Sequence, residues 1–426
     1  MKRIGIVGGG FAGFEAALQL DDALRGRRNV ELILFSEQSH FTYTPLLPDV
    51  ATGAVSMRSV TVRIASALSN PQSRFVRDRI ERFELDTQTV VGERGSYPCD
   101  YVVIAVGSEP DFQELPGVEG RAMTLQTVHD AMRIKGRLLS VFRRVHAGAV
   151  PRAMLPEALT FVIAGGGQAG VELAAEMATG VQQSLLPHVD PEIAEVFRVI
   201  LIEPSRELLP NTSPALSQRA AEVLARLGVD VRLGARVSGA TDRQVLIEGE
   251  TPIMSEHLIW TAGRRAPRWL ADAGVPLTRG GALPVKDDLT VEGTTRTFAA
   301  GSCAELVHVT TAIPHSVQVS SRQGALVADN IAQDLVGAAY AAFDYQPSST
   351  LVTLGRLDAA ARLGPLSISG VLAQGIYRAS HMAQTPTLTK KLAILTDWTE
   401  KTLRGRDLGR LMLRMPAPGT PLDPSS

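Results

Sequence analysis

Two stretches of the chain repeat one pattern, and that repetition limits the fold more than any other feature. They are "RIGIVGGGFAGFEAALQL" near the start and "LTFVIAGGGQAGVELAAEMA" around residue 165. Each begins with a short apolar run, Ile4 to Val7 or Phe161 to Ala164, which reads as a buried parallel strand. Glycines spaced G-x-G-x-x-G follow: Gly8, Gly10 and Gly13, then Gly165, Gly167 and Gly170. An Ala/Leu-rich helical segment comes next in both. The order has a chemical reason. The first glycine makes the tight turn, the second lets backbone approach a pyrophosphate, and the third lets helix pack on strand. The helix N-terminus then offers free N–H groups and the positive end of its dipole to the phosphates. One such pattern is weak evidence; two, well separated, predict two dinucleotide sites.

The strand after each helix is expected to end in an acidic residue that binds the adenosine ribose. In "RVILIEPSRELLP" that residue is Glu203, a carboxylate that accepts a 2′-hydroxyl and repels a 2′-phosphate; Arg206 stands nearby. In "VELILFSEQ" Ser36 holds the position, with Glu37 one residue later. Three further segments run from strand into turn: Tyr101 to Gly107, His257 to Gly263, and Thr297 to Leu306.

The stretch "SHFTYTPLLPDVATGAV", Ser39 to Val55, is read as neither helix nor strand, because Pro45 and Pro48 break helices and Thr44 precedes a proline. The chain of 426 residues, 45% hydrophobic, is long enough for two or three domains. A net charge of −1 gives no basic field for nucleic acid. Cys99 and Cys303 form no C-x-x-C, so neither a disulfide framework nor a zinc site is expected. No histidine pair has metal-ligand spacing. No signal-peptide core and no spanning helix are expected. From Lys390 on, Leu392, Leu395, Trp398 and Leu403 can share one helical face, and Leu408, Leu411, Met412 and Met415 a second, within a basic segment. That pattern reads as an in-plane membrane anchor or a dimer interface. The Pro/Ser-rich tail, 416–426, reads as disordered.

The order of these motifs resembles the two-dinucleotide-binding-domain flavoproteins. Within them the chain is similar to the type II NADH dehydrogenases, non-proton-pumping NADH:quinone oxidoreductases. "TPLLPDVATG", "PHSVQVSSRQGALVADNI" and "KKLAILTDWTEKTLRGRDLGRL" carry the resemblance, which covers residues 1 to about 415. It implies an α/β fold with two Rossmann-like domains, the NADH domain inserted in the FAD domain, plus a C-terminal membrane-associating domain. The implied ranges are 1–115 and 266–335 for FAD, 116–265 for NADH and 336–415 for the C-terminal domain.

The resemblance also assigns residues. FAD would be held by Gly8, Gly10, Gly13, Ser36, Glu37, Pro45, Gly107, Gly301 and Ser302; NADH by Gly165, Gly167, Gly170, Glu203 and Gly263. Pro45, Leu46 and Leu47 would wall the flavin, Glu172 would lie near the nicotinamide, and Gln318 and Gln323 would belong to the quinone site. Two motifs depart from the family. Ser302 replaces an aspartate, and Val317, Ser320 and Arg322 replace Ala, Ala and Gln. His315 could assist quinone protonation or be structural. The implied enzyme passes hydride from NADH to FAD and two electrons to a membrane quinone of a respiratory chain. It would be a peripheral homodimer on the cytoplasmic face of the cell membrane. The alternatives are a soluble NADH-dependent flavoprotein reductase with a non-quinone acceptor and a redox-sensing flavoprotein with poor turnover.

Overall fold

The structure is a computed structural model, and it describes residues 1–210, 212–308, 313–345, 350–355, 358–363, 366–384, 388–404 and 408. The side chains of 363, 383, 388 and 401–404 are outside that description. Two compact units emerge from the contacts. The first gathers 1–42, 61–109 and the described residues of 264–345; the second gathers 43–60, 110–263 and the described residues from 350 onward.

In the first unit the strand Lys2–Val7 lies at the centre of a five-stranded parallel sheet. Val30–Ser36 and then Ser73–Arg77 pair on one side; Tyr101–Ile104 and then Thr297–Ala299 pair on the other. Apart from the edge strand Ser73–Arg77, the strands are largely apolar because the sheet is buried on both faces. The helix Phe11–Ala23 leaves the central strand and packs closely on the helix Val317–Asp334. A side chain at Gly324 would strike the carbonyl of Ala12, so glycine permits that approach.

The second unit repeats the plan. Thr160–Ala164 is central, flanked by Arg198–Glu203 and Asp230–Leu233 on one side and by His257–Trp260 and Met123–Thr124 on the other. The helix Gln168–Ser184 follows the central strand. Farther along the chain, the antiparallel strands Thr350–Thr353, Ala359–Leu363 and Leu366–Ser369 carry the helix Val371–Gln384. Leu351, Ala359, Ala361, Ala373 and Tyr377 form the core between them.

The stretch read as neither helix nor strand is in fact structured. His40–Thr42 is a short strand paired with Thr61–Arg63, Thr44–Leu46 is a 3-10 turn, and Leu47–Ala51 is a short helix. The prolines do not break these elements because Pro45 and Pro48 sit in their first turns, where no backbone N–H is needed. Phe41 stacks on Phe14 at 4.6 Å within the first unit. From Tyr43 the chain joins the second unit, where Leu46, Leu47 and Val50 are buried. Leu47–Ala51 packs there on the helices Val128–His146 and Gln168–Ser184.

The last described helix is Leu388–Arg404. Its expected apolar face divides. Trp398 and Ile394 are buried, with the Arg378 guanidinium 5.3 Å from the Trp398 ring centre, whereas Leu392 and Leu395 are exposed. Trp398 is therefore a packing residue and does not sit at an exposed edge. The side chain of Leu403 and residues 411, 412 and 415 of the expected second face lie outside the described residues; Leu408 is buried against Gly53. No described helix is long and apolar enough to cross a membrane.

Candidate functional site

Each glycine turn sits at the carboxyl end of its central strand, between the two strands that leave in opposite directions, where open α/β sheets bind ligands. Gly8 has φ +116° and Gly165 φ +112°, backbone states that side chains resist. A Cβ on Gly13 would strike the carbonyl of Gly8, and one on Gly170 that of Gly165. A Cβ on Gly10 or on Gly167 would meet nothing within 4 Å. Both turns are thus tight toward the sheet and open toward a ligand, as a dinucleotide cradle requires.

The first turn is completed from three directions. Gly107 (φ +73°) lies in the turn after the neighbouring strand Tyr101–Ile104 and opens outward. Gly301 (φ +81°) brings its Cα face to the Cβ of Ala12 at the start of the first helix. The amide of Gly301 donates to Oε1 of buried Gln323 at 2.7 Å. Ser302 follows, half-buried. Gln323 thus has a task the sequence did not reveal: it fixes the Gly301–Ser302 turn. The residue one helical turn from half-buried Gln318 is Arg322, which is exposed, donates to the carbonyl of Asp344 at 3.1 Å and lies 6.0 Å from the Phe343 ring centre. Ser36 accepts the amide of Gln38 at 3.2 Å, and Glu37 is exposed beside Arg79.

The second turn is backed by Glu203. Its carboxylate accepts the amides of Gly166 at 2.6 Å and Ser205 at 2.8 Å, which orients it at the strand end. Thr261 donates to the carbonyl of Ala164 at 2.9 Å and braces the turn. Gly263 (φ +78°) closes it.

Glu172 lies on the helix that leaves this turn and is buried. Its Oε1 accepts Nε2 of Gln168 at 3.2 Å and the amide of Thr353 at 3.2 Å. Burial outweighs these two bonds, with buried Asp49 and Glu176 adding like charge, and the pKa rises to about 8. The group therefore holds a proton at neutral pH. Gln168, four residues before Glu172, was findable from helical spacing; Thr353 was not.

Pro45 is half-buried in the second unit, and the side chains of Leu46 and Leu47 are consumed in its core, so those leucines do not form an open wall. His315 is exposed, with its pKa lowered first by desolvation and then by Arg264. Both cysteines are free and buried, and burial lifts Cys99 to about 12 and Cys303 to about 11, too high for a reactive thiolate.

Residues 2–324 match the model of the pyridine nucleotide-disulphide oxidoreductase family. The type II NADH:quinone oxidoreductase Ndh of Mycobacterium tuberculosis is 30% identical, over 95% of this chain and 89% of its own. The type II NADH:quinone oxidoreductase of Haemophilus influenzae is 26% identical, over 95% of this chain and 99% of its own. The solved structure of NDH2 from Plasmodium falciparum in complex with NADH superposes with a TM-score of 0.88 at 17% identity, covering 96% of this chain and 99% of that one.

Proposed function

The chain belongs to the pyridine nucleotide-disulphide oxidoreductase family, and from that membership we infer that it works as a type II NADH:quinone oxidoreductase. It is an FAD-dependent, non-proton-pumping enzyme that takes hydride from NADH and passes two electrons to a quinone. Bound FAD supplies the hydride-accepting and two-electron chemistry; the protein supplies binding, orientation and proton control. The observation that carries the reading is the pair of open glycine cradles, with a protonated, buried Glu172 on the helix leaving the second.

In this reading the first cradle, with Gly107, Gly301 and Ser302, holds FAD. Gln323 positions the Gly301–Ser302 turn through its carbonyl oxygen and keeps its place among the residues proposed for the quinone site. The second cradle holds NADH, with Glu203 accepting the ribose hydroxyls and Gly263 closing the site. Glu172 lies near the nicotinamide on the helix leaving that cradle, and Gln318 belongs to the quinone site. Pro45 keeps its place among the residues proposed to bind cofactor. The enzyme works on the cytoplasmic face of the membrane as a peripheral homodimer. Exposed Leu366, Val371, Leu372, Leu392 and Leu395, all on the C-terminal elements, support lipid contact.

The test is steady-state oxidation of NADH by FAD-loaded protein with a short-chain quinone. Rapid quinone-dependent turnover is expected. Reduction of the flavin by NADH without reoxidation by quinone would remove the acceptor half. It would favour the second reading, a soluble reductase with another acceptor, which the guanidinium of Arg322 beside Gln318 motivates. Co-flotation with anionic liposomes tests membrane contact separately.

A further inference from the structure

Three arginines stand together where the chain re-enters the first unit: Arg264, Arg265 and Arg268. Two of them share an acid. Arg265 donates to Oε1 of Glu109 at 3.0 Å, and Nε of Arg268 lies 3.9 Å from the same oxygen. Arg264 pairs with no carboxylate among the described residues. Its Nε donates to Oγ of Ser108 at 2.7 Å and its Nη2 to the carbonyl of Ser108 at 3.4 Å. Both partners are neutral, so they orient the guanidinium without cancelling its charge. The side chain is exposed, yet desolvation lowers its pKa. A cation that water reaches while protein crowds it lines a recess, not a convex surface.

That recess borders the first glycine turn. Ser108 follows Gly107, which opens outward, and a Cβ on Gly8 would strike the carbonyl of Ala105 on the same stretch. Cys303, next after Ser302, brings its thiol 3.5 Å from the carbonyl of Ile104, so the Gly301–Ser302 turn borders this stretch too. The charge of Arg264 also reaches His315, just before the helix Val317–Asp334. Ser302 stands where the family carries an aspartate, so it brings no negative charge to the turn. A crowded guanidinium without an acid costs the empty fold free energy, which is recovered when an anion arrives.

We propose that Arg264 is a diphosphate ligand of the flavin nucleotide, donating from its terminal nitrogens to a phosphate oxygen of the FAD in the first cradle. The proposal rests on the assignment of FAD to that cradle. The glycine turn meets the diphosphate with backbone amides and the partial charge of a helix end. A guanidinium adds a full charge in a forked geometry that suits phosphate. Arg264 thereby restores at the diphosphate some of the grip that Ser302, lacking a carboxylate, gives up on the ribityl chain. The rival anion is the diphosphate of NADH, because Arg264 follows Gly263 in sequence. FAD is favoured because Arg264 bonds to Ser108 and acts on His315, and all three belong to the first unit.

The test compares full-length, FAD-loaded wild type with Arg264→Gln and Arg264→Lys. Phosphorus NMR reads the bound diphosphate, flavin release on dilution reads the Kd for FAD at low and high salt, and calorimetry reads the Kd for NAD+. Arg264→Gln is expected to move a diphosphate resonance and to weaken FAD about ten- to a hundredfold. It should also flatten the salt dependence of that Kd and leave the Kd for NAD+ unchanged. Arg264→Lys keeps the charge and should recover part of the affinity and the salt dependence; it carries the test if the glutamine variant does not fold. Wild-type resonances and FAD retention in a folded glutamine variant would overturn the proposal. So would a weaker Kd for NAD+ with FAD unaffected, which gives Arg264 to the co-substrate. FAD loss with unchanged salt dependence and no recovery by lysine would reduce Arg264 to a brace for Ser108, and overturns it too. Quinone turnover enters none of these readouts, so failure to reduce quinone would sink the proposed function and leave this assignment to be decided by the NMR and the Kd values.

Discussion

The two glycine turns share a design but differ in what stands behind them. Both have a left-handed first glycine and a third glycine pressed on the carbonyl of the first. Behind the second turn, Glu203 is held by two backbone amides and presents a fixed negative charge to a sugar. Behind the first, Ser36 spends its oxygen on Gln38, two residues on, and presents no charge. A permanently bound cofactor can be gripped along its whole length, so one sugar contact matters little. A co-substrate that enters and leaves each cycle depends on few contacts, and a charge-assisted bond is among the strongest available.

The comparison breaks most visibly at the third glycine. Gly13→Ala and Gly170→Ala each drive a Cβ into backbone, at a cost of about 3 kcal/mol or more at the turn. Gly13→Ala is expected to yield protein without yellow flavin. Gly170→Ala should keep its flavin but lose NADH-driven bleaching at least about a hundredfold. Absorbance spectra before and after NADH read both, and identical phenotypes would mean the turns do not serve different nucleotides.

Titration gives the next largest effects, and both fall in the second unit. Glu172 has a folded pKa of about 8 against an ordinary 4.5, so its stabilisation is complete below pH 4.5 and lost as pH rises through 8. The loss is about 5 kcal/mol, and Glu172→Gln should flatten the denaturant midpoint over that range. His257 has the opposite sign. It is buried, stacks on Phe161 at 4.3 Å, and donates Nε2–H to the carbonyl of Ala158 at 3.0 Å. Burial lowers its pKa from 6.5 to about 4, so its stabilisation holds above pH 6.5 and is lost as pH falls through 4. That loss is about 3 kcal/mol, and His257→Phe should remove it from an acid-unfolding curve.

The strand ends give the finer contrast. Glu203→Ser should raise the KM for NADH about ten- to a hundredfold, the worth of about 1.5–3 kcal/mol, and narrow the preference over NADPH. Ser36→Ala should change FAD retention by about 1 kcal/mol or less, measured by flavin release on dilution. Equal effects at the two positions would erase the distinction between them.

Some of this was legible in the sequence because it is local. A strand, a glycine turn and a helix lie within twenty residues, and the spacing that marks them is the spacing that builds them. Glu203 was legible for the same reason. The helical turns at Pro45 and Pro48 were misread because proline forbids a helix interior but suits a helix start. Gln323 was assigned by motif position, while its bond to the amide of Gly301 depends on how a helix packs beside a distant turn. The Tyr43 hydroxyl lies 2.7 Å from Nδ1 of His381, but the two are 338 residues apart and no periodicity joins them.

The chain passes between its two units at 42–43, 60–61, 109–110 and 263–264, and again between the described residues 345 and 350, so neither unit is continuous. This bears on biogenesis. The sheet begun by Lys2–Val7 is completed only by Thr297–Ala299. At roughly 5–20 residues per second, synthesis leaves the apolar edge of Tyr101–Ile104 unpaired for roughly 10 to 40 seconds. A fragment ending before residue 297 therefore lacks a strand of its first sheet, however complete its first glycine turn.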